Sequence, residues 1–125
     1  FTWALLVLAL PMNAQNQKIP KGISLSFKAG NAAELSKFFD GSVELIILDK
    51  EDVYSRSQAE QILRKFFSEH KPETFDIIFQ GGPENSPYAI GSLQTTEIKY
   101  RVYILMKKQN ESHLINHLRI EEEEE

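Results

Sequence analysis

With 125 residues, 42% hydrophobic and 26% charged, the chain has the size and composition of one ordinary globular domain. Its formal charge is −4, but Glu121 to Glu125 contribute −5, so the remainder sums to +1 and has no basic stripe to attract nucleic acid. It contains no cysteine, which excludes a disulfide framework, a thiolate metal site and a catalytic thiol within it.

Phe1 to Leu10 bear no charge and are nearly all apolar. A bilayer span takes about 20 such residues, so no stable membrane span is expected here. Followed by Pro11-Met12-Asn13-Ala14, the run reads as the remnant of a secretory signal peptide over 1–14, which makes the mature protein an exported one. The alternative is a buried N-terminal strand or helix. Gln15 to Lys18 reads as a frayed mature terminus.

Pro20 suits a helix start, and Ile23 and Phe27 lie four apart on one face. Gly30 fits the position just past a helix end, where left-handed backbone is needed. Asn31, with Glu34 three residues on, caps a second short helix carrying Leu35, Phe38 and Phe39 and ended by Asp40-Gly41. Val43, Leu45 and Ile47 then alternate along a strand whose other face is only partly polar. Asp49-Lys50-Glu51-Asp52 is expected to turn the chain, with Val53 and Tyr54 as a short extended piece.

The long helix follows. Ala59, Ile62, Leu63, Phe66 and Phe67 have the spacing of one helix face. Ser55 with Gln58, and Ser57 with Glu60, both fit a capping box, and Pro72 ends the helix. Beyond it the period changes to two, over Phe75–Gln80, Tyr88–Leu93, Tyr100–Lys107 and His113–Ile120. Four strands with short connections make an antiparallel meander. The fold class is therefore α+β, a cone of N-terminal helices packed on a curved, mostly antiparallel sheet. Its order is helix, helix, strand, long helix, four-strand meander, with the domain over 19–120, a solvated acidic tail over 121–125, and Gly91 as a place for the sheet to bend.

With that order, the chain resembles the nuclear-transport-factor-two-like, or cystatin-like, superfamily. More narrowly it resembles a family of small exported bacterial domains of unknown function. The resemblance is carried by Lys28-Ala29-Gly30-Asn31-Ala32-Ala33-Glu34-Leu35, by Val43 to Phe67, by Gln80-Gly81-Gly82, by Tyr88-Ala89-Ile90-Gly91 and by Tyr100-Arg101-Val102-Tyr103. It implies a bacterial periplasmic or extracellular location and no particular activity, since the superfamily holds isomerases, dehydratases and non-catalytic modules.

The resemblance implies, for an enzyme, a carboxylate or histidine base with a tyrosine inside the cone. Asp49, Tyr54 and His117 are the candidates for a cofactor-independent lyase or isomerase, with Asp52, Tyr88 and Tyr103 as further counterparts. Nothing in the spacing makes any two of them converge. For a binding module, Tyr54, Tyr88, Tyr100 and Asn116 are the polar pocket candidates, in an interior suited to an apolar small molecule. The opposite sheet face, with Arg101, Tyr103, Leu105, Ile115, His117 and Arg119, has the aromatic and arginine content of a protein interface, which suits a homodimer or a contact with another envelope protein; the alternative is an ordinary solvated face. His113 and His117 are not read as a metal pair. In a strand, four residues span about 13 Å at roughly 3.3 Å each, too far for bonds of about 2 Å to one ion. No metal and no cofactor is expected. The reading is a non-catalytic ligand-binding or protein-interaction module.

Overall fold

The computed structural model describes residues 19–123. The expected signal-peptide remnant over 1–14, the frayed stretch over 15–18 and the last two glutamates lie outside the described residues. Three helices, α1 (Lys21–Ala29), α2 (Ala32–Ser36) and α3 (Arg56–Glu69), pack on a six-stranded sheet. Its strands are β1 (Phe39–Ile47), β2 (Lys50–Ser55), β3 (Pro72–Gly81), β4 (Tyr88–Thr95), β5 (Lys99–Gln109) and β6 (Ser112–Glu122). They lie in the order β2-β1-β6-β5-β4-β3, antiparallel except where β1 runs parallel to β6.

Local chemistry sets the helix ends. Pro20 precedes α1, and Gly30 closes it in left-handed backbone at φ 66°. The Asn31 side chain accepts the Glu34 N–H at the start of α2. For α3 the cap is Ser55, whose hydroxyl accepts from Gln58 N–H while the Gln58 side chain accepts from Ser55 N–H. Both halves of the box are thus made, and Ser57 lies inside the helix.

Several boundaries differ from expectation. The second helix ends at Ser36, and Phe39, Asp40 and Gly41 belong to β1. The strand position buries the Phe39 ring completely, opposite Ile115 of β6. The acidic turn is also shorter. Leu48, at φ 58°, and Asp49 reverse the chain, and Lys50 to Ser55 pair with β1 as an edge strand. The sheet does not stop at Ile120 either. β6 continues through Glu122, the Glu123 N–H donates to Lys99, and the Glu123 carboxylate pairs with Arg101 at 3.0 Å.

The core lies between the helices and one face of the sheet. Ile23, Phe27, Leu35, Leu63 and Phe67 meet Leu45, Leu93, Val102, Ile104, Leu118 and Ile120, all buried. Burying each such side chain contributes about 1.5–3 kcal/mol. Phe75 stacks on Phe27 at 4.7 Å and covers Gly91, where a Cβ would lie 2.4 Å from the Phe75 ring. Directly opposite, a bulge in β3 between Ile77 and Phe79 bends the strand.

A second bulge decides which side chains of β6 point inward. Leu105 pairs with His117 and Met106 with Ile115, so Asn116 has no partner across the ladder. Strict alternation places Leu114 inside and Ile115 outside. The extra residue reverses this: Ile115 is wholly buried, and Leu114 is half-buried opposite Lys107.

Candidate functional site

The C-terminal half of α3 and the β1–β2 hairpin enclose a groove of about 410 Å³. This lies towards the lower end of the range of about 300–1,000 Å³ typical of small-molecule sites. Its walls are built by two periodicities. Ile62, Lys65, Phe66 and Glu69 come from neighbouring turns of one α3 face, His70 from the residue that caps its C-terminus, and Leu45 and Ile47 from alternate positions of β1. Tyr54 of β2, Leu48, Asp49 and Lys50 complete it. The body of the groove is apolar. Two carboxylates, Asp49 and Glu69, and two ammonium groups, Lys50 and Lys65, stand exposed around it.

Beneath it lies an aromatic cluster. Phe66 packs against His70 at 4.8 Å and against Tyr100 at 5.4 Å, and the Tyr100 hydroxyl is 3.1 Å from His70 Nδ1. Burial pushes the Tyr100 pKa above its ordinary 10.0, with further upward pressure from the charges of Glu122 and Glu97. Tyr100 therefore stays a phenol and a hydrogen-bond donor.

Of the residues singled out in sequence, the groove brings Asp49 and Tyr54 together. Tyr100 lies below it, joined through His70. The others sit elsewhere. Tyr88 is on the opposite sheet face, its ring 5.8 Å from Phe79, and Asn116 is the bulged residue of β6. Asp52 is exposed on β2, where it accepts the Val53 N–H. His117 also faces outward, with Nδ1 3.2 Å from a Glu44 carboxylate oxygen. Asp49, Tyr54 and His117 thus do not form one acid–base set. His113 contacts the Glu84 carbonyl, and no group of three or more His, Cys, Asp or Glu converges on a metal position among the described residues. Sequence reasoning missed His70, Ile62 and Phe66 as groove residues. The available clue was the four-residue spacing of Ile62, Phe66 and His70, which extends the apolar face of α3.

Among the described residues no helix covers the outer sheet face. Tyr88, Leu105, His117, Glu44 and Val53 lie side by side across five strands, with Ile90, Tyr103 and Arg119 in the adjacent row. Leu105 is 42% exposed, and Ile78 and Phe79, at and beside the β3 bulge, are 51% exposed. Arg101 and Arg119 are paired with Glu123 and Glu121. Of the six residues expected on this face, only Ile115 is not there, because the β6 bulge turns it into the core.

The sequence matches the family described as a domain of unknown function, DUF4783, over residues 20–121, which includes both the groove and the outer face. The chain belongs to the DUF4783 family. A DUF4783 structure from Bacteroides ovatus is 32% identical, with a TM-score of 0.83 over 88% of this chain and 100% of that one. A cystatin-like domain of unknown function from Nostoc punctiforme has a TM-score of 0.69 at 10% identity, over 84% of this chain and 73% of its own. An NTF-2-like protein of unknown function from Silicibacter pomeroyi has a TM-score of 0.62 at 10% identity, over 82% of this chain and 88% of its own. The last two show the fold alone: this DUF4783 chain has the cystatin-like, nuclear-transport-factor-two-like α+β architecture. Comparison with curated proteins gives no match. No helix among the described residues is long and apolar enough to cross a membrane.

Proposed function

We propose that this DUF4783 chain is an exported, non-catalytic module that binds an apolar small molecule in the groove between α3 and the β1–β2 hairpin. The observation that carries this reading is the groove itself, about 410 Å³ with a wall of Leu45, Ile47, Ile62 and Phe66. Such a cavity favours a ligand through its apolar area and orients it with few polar groups. Export is supported by the uncharged, apolar Phe1 to Leu10. The enzymatic alternative, a cofactor-independent lyase or isomerase, has Asp49 and Tyr54 at one groove but His117 on the opposite face of the sheet, against Glu44, and Asp49 stands exposed on a turn. A carboxylate on an exposed turn sits outside any water-excluded site of the kind that proton abstraction needs.

Chemical-shift mapping with a library of small apolar fragments tests the binding reading. Bound fragments should move the amide signals of Leu45, Ile47, Ile62, Phe66 and His70, and Ile62→Trp, which fills the groove, should abolish the effect. Shifts confined to the outer sheet face, or unchanged in Ile62→Trp, would refute it.

A second reading has its own observation. The exposed Leu105, Ile78 and Phe79, beside Tyr88 and Tyr103, form an apolar and aromatic face of the kind found in interface cores. Pairing of two copies through it would make the module a homodimer.

A further inference from the structure

We infer that the ligand of the groove carries an acceptor oxygen, a carbonyl or carboxylate on an apolar body, and that His70 is the residue that anchors it. This rests on the reading of the groove as a binding site. Tyr100 is 1% exposed, and among the described residues its hydroxyl has one hydrogen-bond partner, His70 Nδ1 at 3.1 Å. A buried hydroxyl proton without an acceptor is costly, so the phenol donates to Nδ1. A neutral imidazole that accepts at Nδ1 carries its proton on Nε2. Tyr100 thereby fixes both the tautomer and the tilt of the His70 ring, and Phe66 packs against both rings to hold them.

The consequence falls on the groove. His70 lines it, and with Nδ1 engaged by Tyr100, Nε2 is the ring nitrogen left to donate to a ligand there. That nitrogen has no partner among the described residues. The neighbouring wall of Leu45, Ile47, Ile62 and Phe66 has no side-chain hydrogen-bonding group. An N–H donor set in an apolar wall selects a molecule that places an acceptor there. Asp49, Glu69, Lys50 and Lys65 balance one another around the groove, so the acceptor, not net charge, is the selective feature.

Long-range nitrogen–proton NMR on histidine-labelled protein reads the tautomer directly. Titration then uses two neutral probes, acetophenone (an acceptor without a donor) and indole (a donor without an acceptor). The expected result is the Nε2–H tautomer at His70. Acetophenone should bind about tenfold tighter than indole, and His70→Phe should remove about that tenfold, the size of one net hydrogen bond. An Nδ1–H tautomer, or indole binding as tightly as acetophenone, would overturn the assignment of His70 while leaving the groove a binding site. If neither probe moves groove signals, the binding reading itself fails, and the inference with it.

Discussion

Tyr100 links burial to a measurable pH effect. Its native pKa is raised above 10.0, chiefly by desolvation, so the folded state holds this proton more tightly than the unfolded chain. The stabilisation is therefore complete below pH 10.0 and is lost as pH rises through the raised native value. Tyr100→Phe removes the bond to His70 and should cost about 1 kcal/mol at neutral pH. The difference from wild type should shrink in denaturant titrations above pH 10.0, and a constant difference would contradict this account. Gly91 makes a steric prediction. Its missing side chain is what lets Phe75 lie on the sheet, so Gly91→Ala should destabilise by about 1–3 kcal/mol through overpacking. Gly91 was legible as a special position from its place in mid-strand. His70 was not. Its partner Tyr100 is thirty residues away, and only the packing of α3 over β5 brings them together.

Helix starts were legible because an N-cap is a local contract between residues three apart, whereas the end of α2 at Ser36 was not. Asn31–Glu34 and Ser55–Gln58 could be read directly, and only the choice between Ser55 and Ser57 needed the structure. Ser55→Ala should cost about 1 kcal/mol in thermal or denaturant unfolding, and Ser57→Ala much less. Strands were legible as a period, but their register was not. The β6 bulge at Asn116 depends on how β5 lies beside it, so alternation alone places Leu114 inside and Ile115 outside. The pair gives a direct check. Ile115→Ala should lose about 2–5 kcal/mol as a core truncation. Leu114→Ala should stay within roughly 1 kcal/mol, and equal losses would count against the bulge. β2 was hidden for a related reason. Lys50-Glu51-Asp52 has turn-like composition, yet charge is also what keeps an edge strand from pairing with other chains.

Among the described residues the cone offers two surfaces for function, the groove and the helix-free face of the sheet. Helix-then-meander order was enough to read the architecture, because one helical layer on one sheet face is the simplest burial of these apolar stripes. It was not enough to place the groove, which opens where α3 stands off the β1–β2 hairpin, a spacing that no sequence pattern records. If the outer face pairs two copies, light scattering after size exclusion should give a dimer mass. Leu105→Glu, which leaves a charge unpaired in the interface, should shift it to monomer without changing thermal stability at low concentration. A wild-type monomer at all accessible concentrations would remove that reading. The central claim concerns the groove. Native mass spectrometry of the protein, gently purified from its own cells, tests it most directly beside Ile62→Trp handled identically. The wild type should carry an added small-molecule mass that is absent from the variant. The same adduct on both proteins, or a bare wild type that still takes up no apolar fragment, would contradict that claim.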